Sequence, residues 1–393
     1  MSTRPRILSL FGARVIFGAE RANIETLSAL REEGCEVLCL VRHEGWNDHV
    51  PAALVARGLA YRKLPFIDAW LKGWRVWVLF RNPIAFLVGN WRMCRIVREF
   101  RPTHVHAFSP MHVLSFMPAL VLLRIPLIYH AGDKPTRHRW VWRALWALIV
   151  MRCAHFVAIS RFIARELEAT KVQADRIDVI YGVPPKRPRS QIAPSVVRRF
   201  RNIAFVGQII EDKGPHLLIR AFRNIAESYA DVRILIIGRL SEWRGDDWAR
   251  ALQTCTGEDP ALRDKVFFLG FLDDIPGVLQ DCELLVTPSL CEEGLGLVVM
   301  EAKAAGIPAI VFPSGGLPEM IKHGIDGYIC PEKTVQALEY ALRFYLDDPS
   351  RAQRQGLAAR ESLGALGVTK FARQLLAVYE ATATRTNKLK NAK

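Results

Sequence analysis

Residues 286–329 have the sequence VTPSLCEEGLGLVVMEAKAAGIPAIVFPSGGLPEMIKHGIDGYI, and this stretch decides the fold. Its pattern predicts a buried strand over 284–287, a glycine turn over 293–296 and a helix over 297–305 that ends at Gly306. Free backbone N–H groups point outward at such a helix N-terminus, and the helix dipole favours anions there. The order of strand, glycine turn and helix therefore predicts a site for a phosphate group.

Two carboxylates frame this turn, Glu293 and Glu301. In one continuous helix they would be about 12 Å apart along the axis. The glycines between them favour Glu293 in the loop and Glu301 on the helix, so a proton-sharing pair or a glycosidase acid–nucleophile pair is not expected. Carboxylates on either side of a phosphate site suit the hydroxyl groups of a ribose and of a sugar. The alternative is an ordinary βαβ unit with one solvated and one capping glutamate.

The pair Glu293-x7-Glu301, followed by GGLPEMIKHGIDGY over 315–328, resembles the donor-site signature of retaining GT-B glycosyltransferases, the glycosyl transferases group 1 (family 4). The resemblance implies a nucleotide-sugar donor, with Glu293 on hydroxyls of the sugar and Glu301 on the ribose. It also implies that backbone amides of the turn meet the diphosphate; the turn residues are Gly294, Leu295, Gly296 and Leu297. The family needs neither a metal ion nor a cofactor, and the chain has no DxD motif.

Other positions also match the family. Gly18 keeps the second glycine of an N-terminal glycine pair, His130 stands at a strand end that lies at the reaction centre, and Lys213 stands where the family has a lysine on the diphosphate. Gln208 stands where the family has an arginine, so Lys213 is expected to carry more of the charge neutralisation. Phe271, in the segment 271–273, resembles the edge that binds the base. The resemblance gives His130, Lys213 and Glu293 as catalytic residues.

The expected fold is α/β, with GT-B architecture: two doubly wound Rossmann-like domains that face a central cleft. Residues 1–190 form the predicted N-terminal acceptor-side domain and residues 191–367 the donor-binding domain, with a proline-rich basic linker over 184–199. In residues 368–393, a helix over 369–381 is expected to return to the N-terminal domain, followed by a frayed basic tail over 382–393.

The positive charge is concentrated in the N-terminal half. Residues 1–200 carry 31 Lys and Arg against 14 Asp and Glu, a net charge of +17, whereas the whole chain has a net charge of +15. This excess favours an anionic partner: a membrane surface, an acidic glycolipid, a lipid phosphate or a nucleic acid. No apolar stretch reaches the roughly 18 residues that a spanning helix needs.

One segment of this half combines aromatic and basic residues at helical spacing. Trp70, Trp74 and Trp77 would share one helix face, with basic residues nearby: Lys72, Arg75, Arg92, Arg95 and Arg98. One hypothesis is an interfacial surface on an anionic membrane. The alternative is a buried tryptophan stripe with a separate solvated basic face. A nucleic-acid partner is not expected, because no recognised binding motif accompanies the charge.

The eight cysteines show no CxxC or His–Cys metal-binding spacing, so they are expected to be reduced residues of a cytoplasmic protein. If the tryptophan segment is interfacial, this protein would be peripheral on the inner face of the membrane.

The predicted function is retaining transfer of a hexosyl group from a UDP- or GDP-sugar to a hydroxyl of a lipid-linked or anionic glycan acceptor. Polysaccharide, lipopolysaccharide or glycolipid synthesis would use this reaction. The alternatives are a GT-B-fold sugar-nucleotide epimerase and a catalytically silent, membrane-docked subunit.

Overall fold

The computed structural model describes residues 4–13, 16, 18–43, 49–66, 83–135, 140–182, 200–239, 247–272, 274–364 and 367–391. The predicted linker and the segment with Trp70, Lys72, Trp74, Arg75 and Trp77 lie outside these residues. The chain divides into two compact units, residues 1–183 with 368–393 and residues 184–367. Each unit is built around a parallel sheet of its own.

The first unit contains a seven-stranded parallel sheet in the order β3-β2-β1-β4-β5-β6-β7. The strands are β1 (Arg6–Phe11), β2 (Glu36–Arg42), β3 (Ala60–Leu64), β4 (His104–Ala107), β5 (Leu127–Ala131), β6 (His155–Ala158) and β7 (Ile177–Val179). The central strands are short and buried on both faces, as parallel strands between two helical layers must be. The strand order reverses between β1 and β4, so the carboxyl ends of these two strands border a crevice.

The second unit contains a six-stranded parallel sheet in the order β10-β9-β8-β11-β12-β13. The strands are β8 (Arg201–Val206), β9 (Val232–Ile237), β10 (Val266–Gly270), β11 (Leu284–Thr287), β12 (Ala309–Val311) and β13 (Gly327–Ile329). Here the order reverses between β8 and β11, which predicts a ligand site at their carboxyl ends. The two doubly wound sheets confirm the α/β fold class expected from the sequence.

Helices connect the strands in both units. They are α1 (Gly18–Glu32), α2 (His49–Ala56), α3 (Pro83–Phe100), α4 (Pro110–Ser115), α5 (Met117–Leu123), α6 (Trp140–Arg152), α7 (Arg161–Glu168), α8 (Pro215–Arg223), α9 (Asp247–Glu258), α10 (Ile275–Leu279), α11 (Leu297–Ala305), α12 (Val335–Leu346), α13 (Pro349–Gly364) and α14 (Val368–Asn391). In the first unit, one face of the sheet packs against α3 to α7 and the other against α1 and α14.

The C-terminal helix is longer than expected. The prediction that residues from Thr382 onward are frayed is wrong, because α14 continues to Asn391. Thr382 is buried and its hydroxyl donates to the Val378 carbonyl at 2.6 Å, while the Thr384 hydroxyl donates to the Glu380 carbonyl at 3.0 Å. These threonines satisfy their hydroxyls on the preceding turn and remain compatible with a helix.

Buried histidines join α14 to the sheet of the first unit. His104 and His106 alternate along β4 and therefore face the same side, where Tyr379 of α14 packs against both rings. Burial raises the pKa of the Tyr379 hydroxyl well above its usual value, so this group keeps its proton, and it is hydrogen-bonded to Nδ1 of His106. Burial also lowers the pKa of His104 to about 4 and holds that of His106 far below its ordinary value.

A buried ion pair joins three segments of the second unit. Nζ of Lys303, on α11, lies 2.9 Å from the Asp326 carboxylate and donates to the Ser362 hydroxyl of α13 at 3.1 Å. Oδ1 of Asp326 accepts from the Lys322 backbone N–H at 2.7 Å. Both charged side chains are almost fully buried, so each depends on the other for compensation.

Removing one member of this pair should therefore destabilise the second unit. We expect Asp326→Ala to lower its free energy of unfolding by about 3–5 kcal/mol, because the Lys303 ammonium would remain buried without a counter-ion. Chemical denaturation measures the change. The control is the double variant Lys303→Met/Asp326→Leu, which removes both charges and should recover most of the loss. Wild-type stability of Asp326→Ala would contradict the assignment.

Acid should destabilise the first unit before its carboxylates are protonated. The pKa values of His104, His112 and His130 are lowered to about 4 by burial, and burial holds that of His106 well below its ordinary value. In the unfolded chain these groups titrate near pH 6.5, so the unfolded state binds more protons between pH 6.5 and 4, and stability falls as pH decreases through this range. Calorimetry at pH 5 should find proton uptake on unfolding that decreases by about one in His104→Phe. Constant stability between pH 7 and 5 would contradict this expectation.

Candidate functional site

The site of the second unit begins where β8 and β11 end. After β8 the chain forms a 3-10 turn, Glu211–Lys213, which Gly214 closes with a positive φ of 74°. A Cβ atom at Gly214 would lie 2.0 Å from the Pro288 carbonyl oxygen, so only glycine allows this close approach. The contact holds Lys213 beside the loop that follows β11.

Backbone hydrogen bonds fix this loop from two sides. The carbonyl of Asp212 accepts from the N–H groups of Leu290 at 2.8 Å and Cys291 at 3.1 Å. The Gly316 N–H donates to the Glu293 carbonyl at 2.8 Å. At Gly315, with φ of 59°, a Cβ atom would lie 2.2 Å from the same carbonyl oxygen. The loop that carries Glu293 is thus held from both sides, and the Glu293 backbone itself is held by the turn at Gly315 and Gly316.

Two side chains contact the Glu293 carboxylate, those of Lys213 and Ser289. Nζ of Lys213 lies 2.5 Å from Oε1, and the buried Ser289 hydroxyl donates to the same Oε1 at 2.6 Å. Among the described residues, none forms a hydrogen bond or ion pair with Oε2. Lys213 and Glu293 are about a quarter and a fifth exposed, so solvent and ligands can reach both. The pair offers a cationic donor and a carboxylate acceptor side by side, the chemistry that a phosphate and a hydroxyl need.

The N-terminus of α11 lies in the same loop. Gly296 precedes the helix with φ of 92°, and no side chain caps it. Among the described residues, none accepts a hydrogen bond from the backbone N–H groups of Leu295, Gly296 or Leu297. These amides, together with the helix dipole, form an anion-binding end. Glu293 lies in the loop and Glu301 on α11, as the glycine spacing predicted.

The neighbouring strand ends carry the remaining donor-side positions. Gln208 follows β8 and is exposed, and Phe271 follows β10 and is 42% exposed. Between them, Arg239 follows β9, with its guanidinium carbon 4.3 Å from the centroid of the Phe271 ring. Arg239 was not among the site residues predicted from the sequence; its place directly after a buried strand and Gly238 was the available signal. Asp273 lies outside the described residues.

The first unit has a cavity of about 340 Å³ at its own strand-order reversal. It lies at the carboxyl ends of β1, β4 and β5, and its lining includes Glu20, Phe108, His112, His130, Asp133 and Trp142. His130 is buried on β5, which lowers its pKa to about 4 and keeps the imidazole neutral. Gly18 is the first residue of α1, and an added Cβ would meet no atom within 4 Å.

The predicted residues therefore form two groups. The second unit brings together Lys213, Glu293, the turn from Gly294 to Leu297 and Glu301, with Gln208 and Phe271 at adjacent strand ends. Gly18 and His130 belong to the first unit. Within the described part of the chain, no group of three or more His, Cys, Asp or Glu side chains is arranged to hold a metal ion.

Family comparisons agree with this division. Residues 195–362 match the model for glycosyl transferases group 1, and residues 17–182 match the glycosyl transferase 4-like domain. A glycogen synthase from Mycobacterium tuberculosis is 30% identical over 289 residues, which are 68% of this chain and 65% of that protein. A phosphatidyl-myo-inositol mannosyltransferase from Mycobacterium leprae is 27% identical over 250 residues, which are 61% of this chain and 64% of that protein. The chain spans about half to two thirds of the length of such curated relatives.

Solved structures show the same fold. The structure of Anabaena Alr3699/HepE in complex with UDP and glucose has a TM-score of 0.79 at 19% identity, and the similarity covers 96% of this chain and 100% of that chain. This similarity confirms the GT-B fold predicted from the sequence. Because the two family models together match most of the chain, this protein belongs to the group 1 glycosyltransferases.

Proposed function

We propose that this chain is a retaining, metal-independent glycosyltransferase that moves a hexosyl group from a UDP- or GDP-sugar to an acceptor hydroxyl. The observation that carries the proposal is the 2.5 Å contact between Lys213 and Glu293 next to the anion-binding end of α11. A nucleotide sugar contains both groups that this arrangement suits, a diphosphate and sugar hydroxyls. HepE was solved with UDP and glucose, which supports a UDP-sugar.

The chemistry follows from where charge develops. Breaking the bond between the anomeric carbon and the diphosphate oxygen leaves the electron pair, and thus negative charge, on the leaving diphosphate. The Lys213 ammonium and the amides from Leu295 to Leu297 stabilise that charge. The acceptor oxygen forms its bond on the same face of the sugar, and a β-phosphate oxygen takes the acceptor proton, so the anomeric configuration is retained. Lysine and helix amides supply the positive potential in this scheme.

Each carboxylate has a separate task in this proposal. Oε1 of Glu293 is held by Lys213 and Ser289, so Oε2 is the oxygen presented to a sugar hydroxyl. Glu301, one turn into α11, binds the ribose. A diphosphate at the helix end would compete for Lys213, whereas Ser289 would keep Glu293 in place. The side chains are thus positioned before the donor arrives, which lowers the cost of binding.

The acceptor belongs, in this proposal, to the cavity of the first unit. His130 lines it as a neutral imidazole, which donates or accepts a hydrogen bond to a hydroxyl without adding charge. We propose a lipid-linked or anionic glycan as the acceptor, in polysaccharide, lipopolysaccharide or glycolipid synthesis. Relatives named as a glycogen synthase and as a phosphatidyl-myo-inositol mannosyltransferase support an acceptor of glycan or lipid type.

We further propose that the first unit of a cytoplasmic protein docks on the anionic inner face of a membrane. None of the described helices is long and apolar enough to cross a bilayer. One face of α3 exposes Ile84, Leu87 and Trp91 by 64–72% and continues with exposed Arg95 and Arg98. Apolar side chains followed by arginines on one helix face suit the boundary between acyl chains and anionic headgroups.

Helix α6 supports this proposal with a second exposed face. Trp140, Leu148 and Met151 lie on it with exposures of 75%, 45% and 73%. The guanidinium of Arg152 donates to the Leu120 and Ile125 carbonyls, at 2.8 and 2.7 Å, and so joins the end of α6 to α5. Helix α5 in turn packs against α3. The tryptophans expected to form this surface, Trp70, Trp74 and Trp77, lie outside the described residues.

Site-directed variants test the transferase proposal. We expect Lys213→Ala to lower turnover about 10²–10³-fold, because a charge that stabilises the leaving group is lost. Glu293→Gln should lose most transfer and still bind free UDP, since it contacts the sugar rather than the diphosphate. The matched control is Glu292→Gln on the adjacent residue, which is exposed and paired with Lys333 at 3.1 Å. Release of nucleoside diphosphate, measured with and without acceptor glycans, gives the rates.

The same assay separates the alternatives. A transferase releases diphosphate when an acceptor is present, and NMR of its product shows the donor's anomeric configuration retained. An epimerase would convert the UDP-sugar without acceptor, and a silent subunit would do neither. Near-wild-type turnover in Lys213→Ala, or equal losses in Glu292→Gln and Glu293→Gln, would contradict the roles proposed here.

Co-sedimentation with vesicles tests membrane docking. The wild-type chain should bind vesicles that contain anionic phosphatidylglycerol, with weakening at high salt, because each basic residue at such a surface adds about 1 kcal/mol. Leu87→Ser/Trp91→Ser and Arg95→Gln/Arg98→Gln should each reduce binding. The control, Ile325→Ser/Leu357→Ser, changes apolar residues of the second unit with 60% and 57% exposure and should have no effect. Binding that is independent of salt and lipid charge would overturn the proposal.

A further inference from the structure

Arg239 is the direct cross-strand neighbour of Gln208. Strands β8 and β9 pair in parallel with Val206 opposite Ile237. The same register continues beyond the strands, because the Ile209 N–H donates to the Arg239 carbonyl at 3.0 Å. Gln208 therefore stands opposite Arg239, about 4.8 Å away, with both side chains on the same face of the sheet.

The surroundings of Gln208 lack a positive charge at position 208 itself. Gln208 is exposed and neutral, so it offers hydrogen bonds to an anion without compensating its charge. Lys213 is already engaged with the Glu293 carboxylate at 2.5 Å. A ligand with two phosphates would then meet one lysine that is shared with a carboxylate. Arg239 brings a full positive charge to the next strand end.

The Phe271 ring holds that charge in position. The Arg239 guanidinium lies over the ring at 4.3 Å, a distance at which the ring quadrupole attracts a cation. Stacking leaves the N–H groups at the rim of the guanidinium plane available for hydrogen bonds. Both side chains are exposed at the carboxyl edge of the sheet, with Arg239 beside Gln208 and Phe271 at the end of β10.

We propose that Arg239 is a donor-binding residue, which replaces the charge missing at Gln208 by contacting the phosphate nearest the nucleoside. This inference rests on the proposed function and extends it to a residue of β9. Lys213 and the α11 amides would meet the distal phosphate, and Arg239 the proximal one. The guanidinium would bind through two N–H groups of its planar fork, which suits a phosphate oxygen pair.

Calorimetric titration with UDP, UMP and uridine tests the proposal. We expect Arg239→Gln to weaken UDP and UMP binding about tenfold or more and to leave uridine binding unchanged, because uridine has no phosphate. The second-site variant Gln208→Arg in the Arg239→Gln background should restore most of the UDP affinity. Arg233→Gln is the matched control: Arg233 lies on the same strand and stacks on Phe200 at 3.3 Å, at the opposite end of β9.

The outcomes separate this inference from the proposed function. If wild type binds UDP and Arg239→Gln binds it equally well, Arg239 is not a donor-binding residue, whereas the transferase proposal stands. An equal loss of uridine and UDP affinity would place Arg239 on the base or in the fold, and would overturn the phosphate assignment. If wild type binds none of these uridine compounds and none of GDP, GMP and guanosine, the proposed function itself fails. If Gln208→Arg fails to restore UDP affinity in the Arg239→Gln background, Arg239 does not supply the charge that is missing at Gln208.

Discussion

The contact between Lys213 and Glu293 is the interaction on which the site of the second unit depends. Lys213 comes from the turn after β8 and Glu293 from the loop after β11, so the two charges meet only if both backbones approach closely. Gly214 and Gly315 allow this approach, because a Cβ atom at either position would collide with a carbonyl oxygen of the β11 loop. The glycines thus determine the electrostatics of the site through backbone distance.

The strand order explains why these two loops meet. In each sheet the order reverses once, between β1 and β4 in the first unit and between β8 and β11 in the second. Helices leave the two strands on opposite faces at such a point, so a crevice opens at their carboxyl ends. The cavity with His130 and the Lys213–Glu293 pair occupy equivalent positions in the two sheets. One folding rule therefore accounts for both groups of functional residues.

Local signals in the sequence were sufficient for the elements around the donor loop. The predicted helix over 297–305 agrees with α11, because a glycine turn, a helical pattern and Gly306 mark both its ends. Features that depend on tertiary contacts were not predictable. Nothing near Lys303 indicates its partner Asp326. The end of α14 was missed because threonine has a low helix propensity, and the burial of Thr382 in the folded chain cannot be read from the local sequence.

The same limit applies to charge. The glutamine at position 208, where the family has an arginine, suggested from the sequence that Lys213 and the helix dipole carry more of the neutralisation of the diphosphate. The register of β8 and β9 changes this view, because Arg239 stands opposite Gln208, 31 residues later in the chain. A phosphate responds to the potential at its position, and that potential depends on distance rather than on which strand carries the cation. An arginine can therefore stand at the end of either of two neighbouring strands and bind the same phosphate. A position-by-position comparison of sequences would record such an exchange as the loss of a charge.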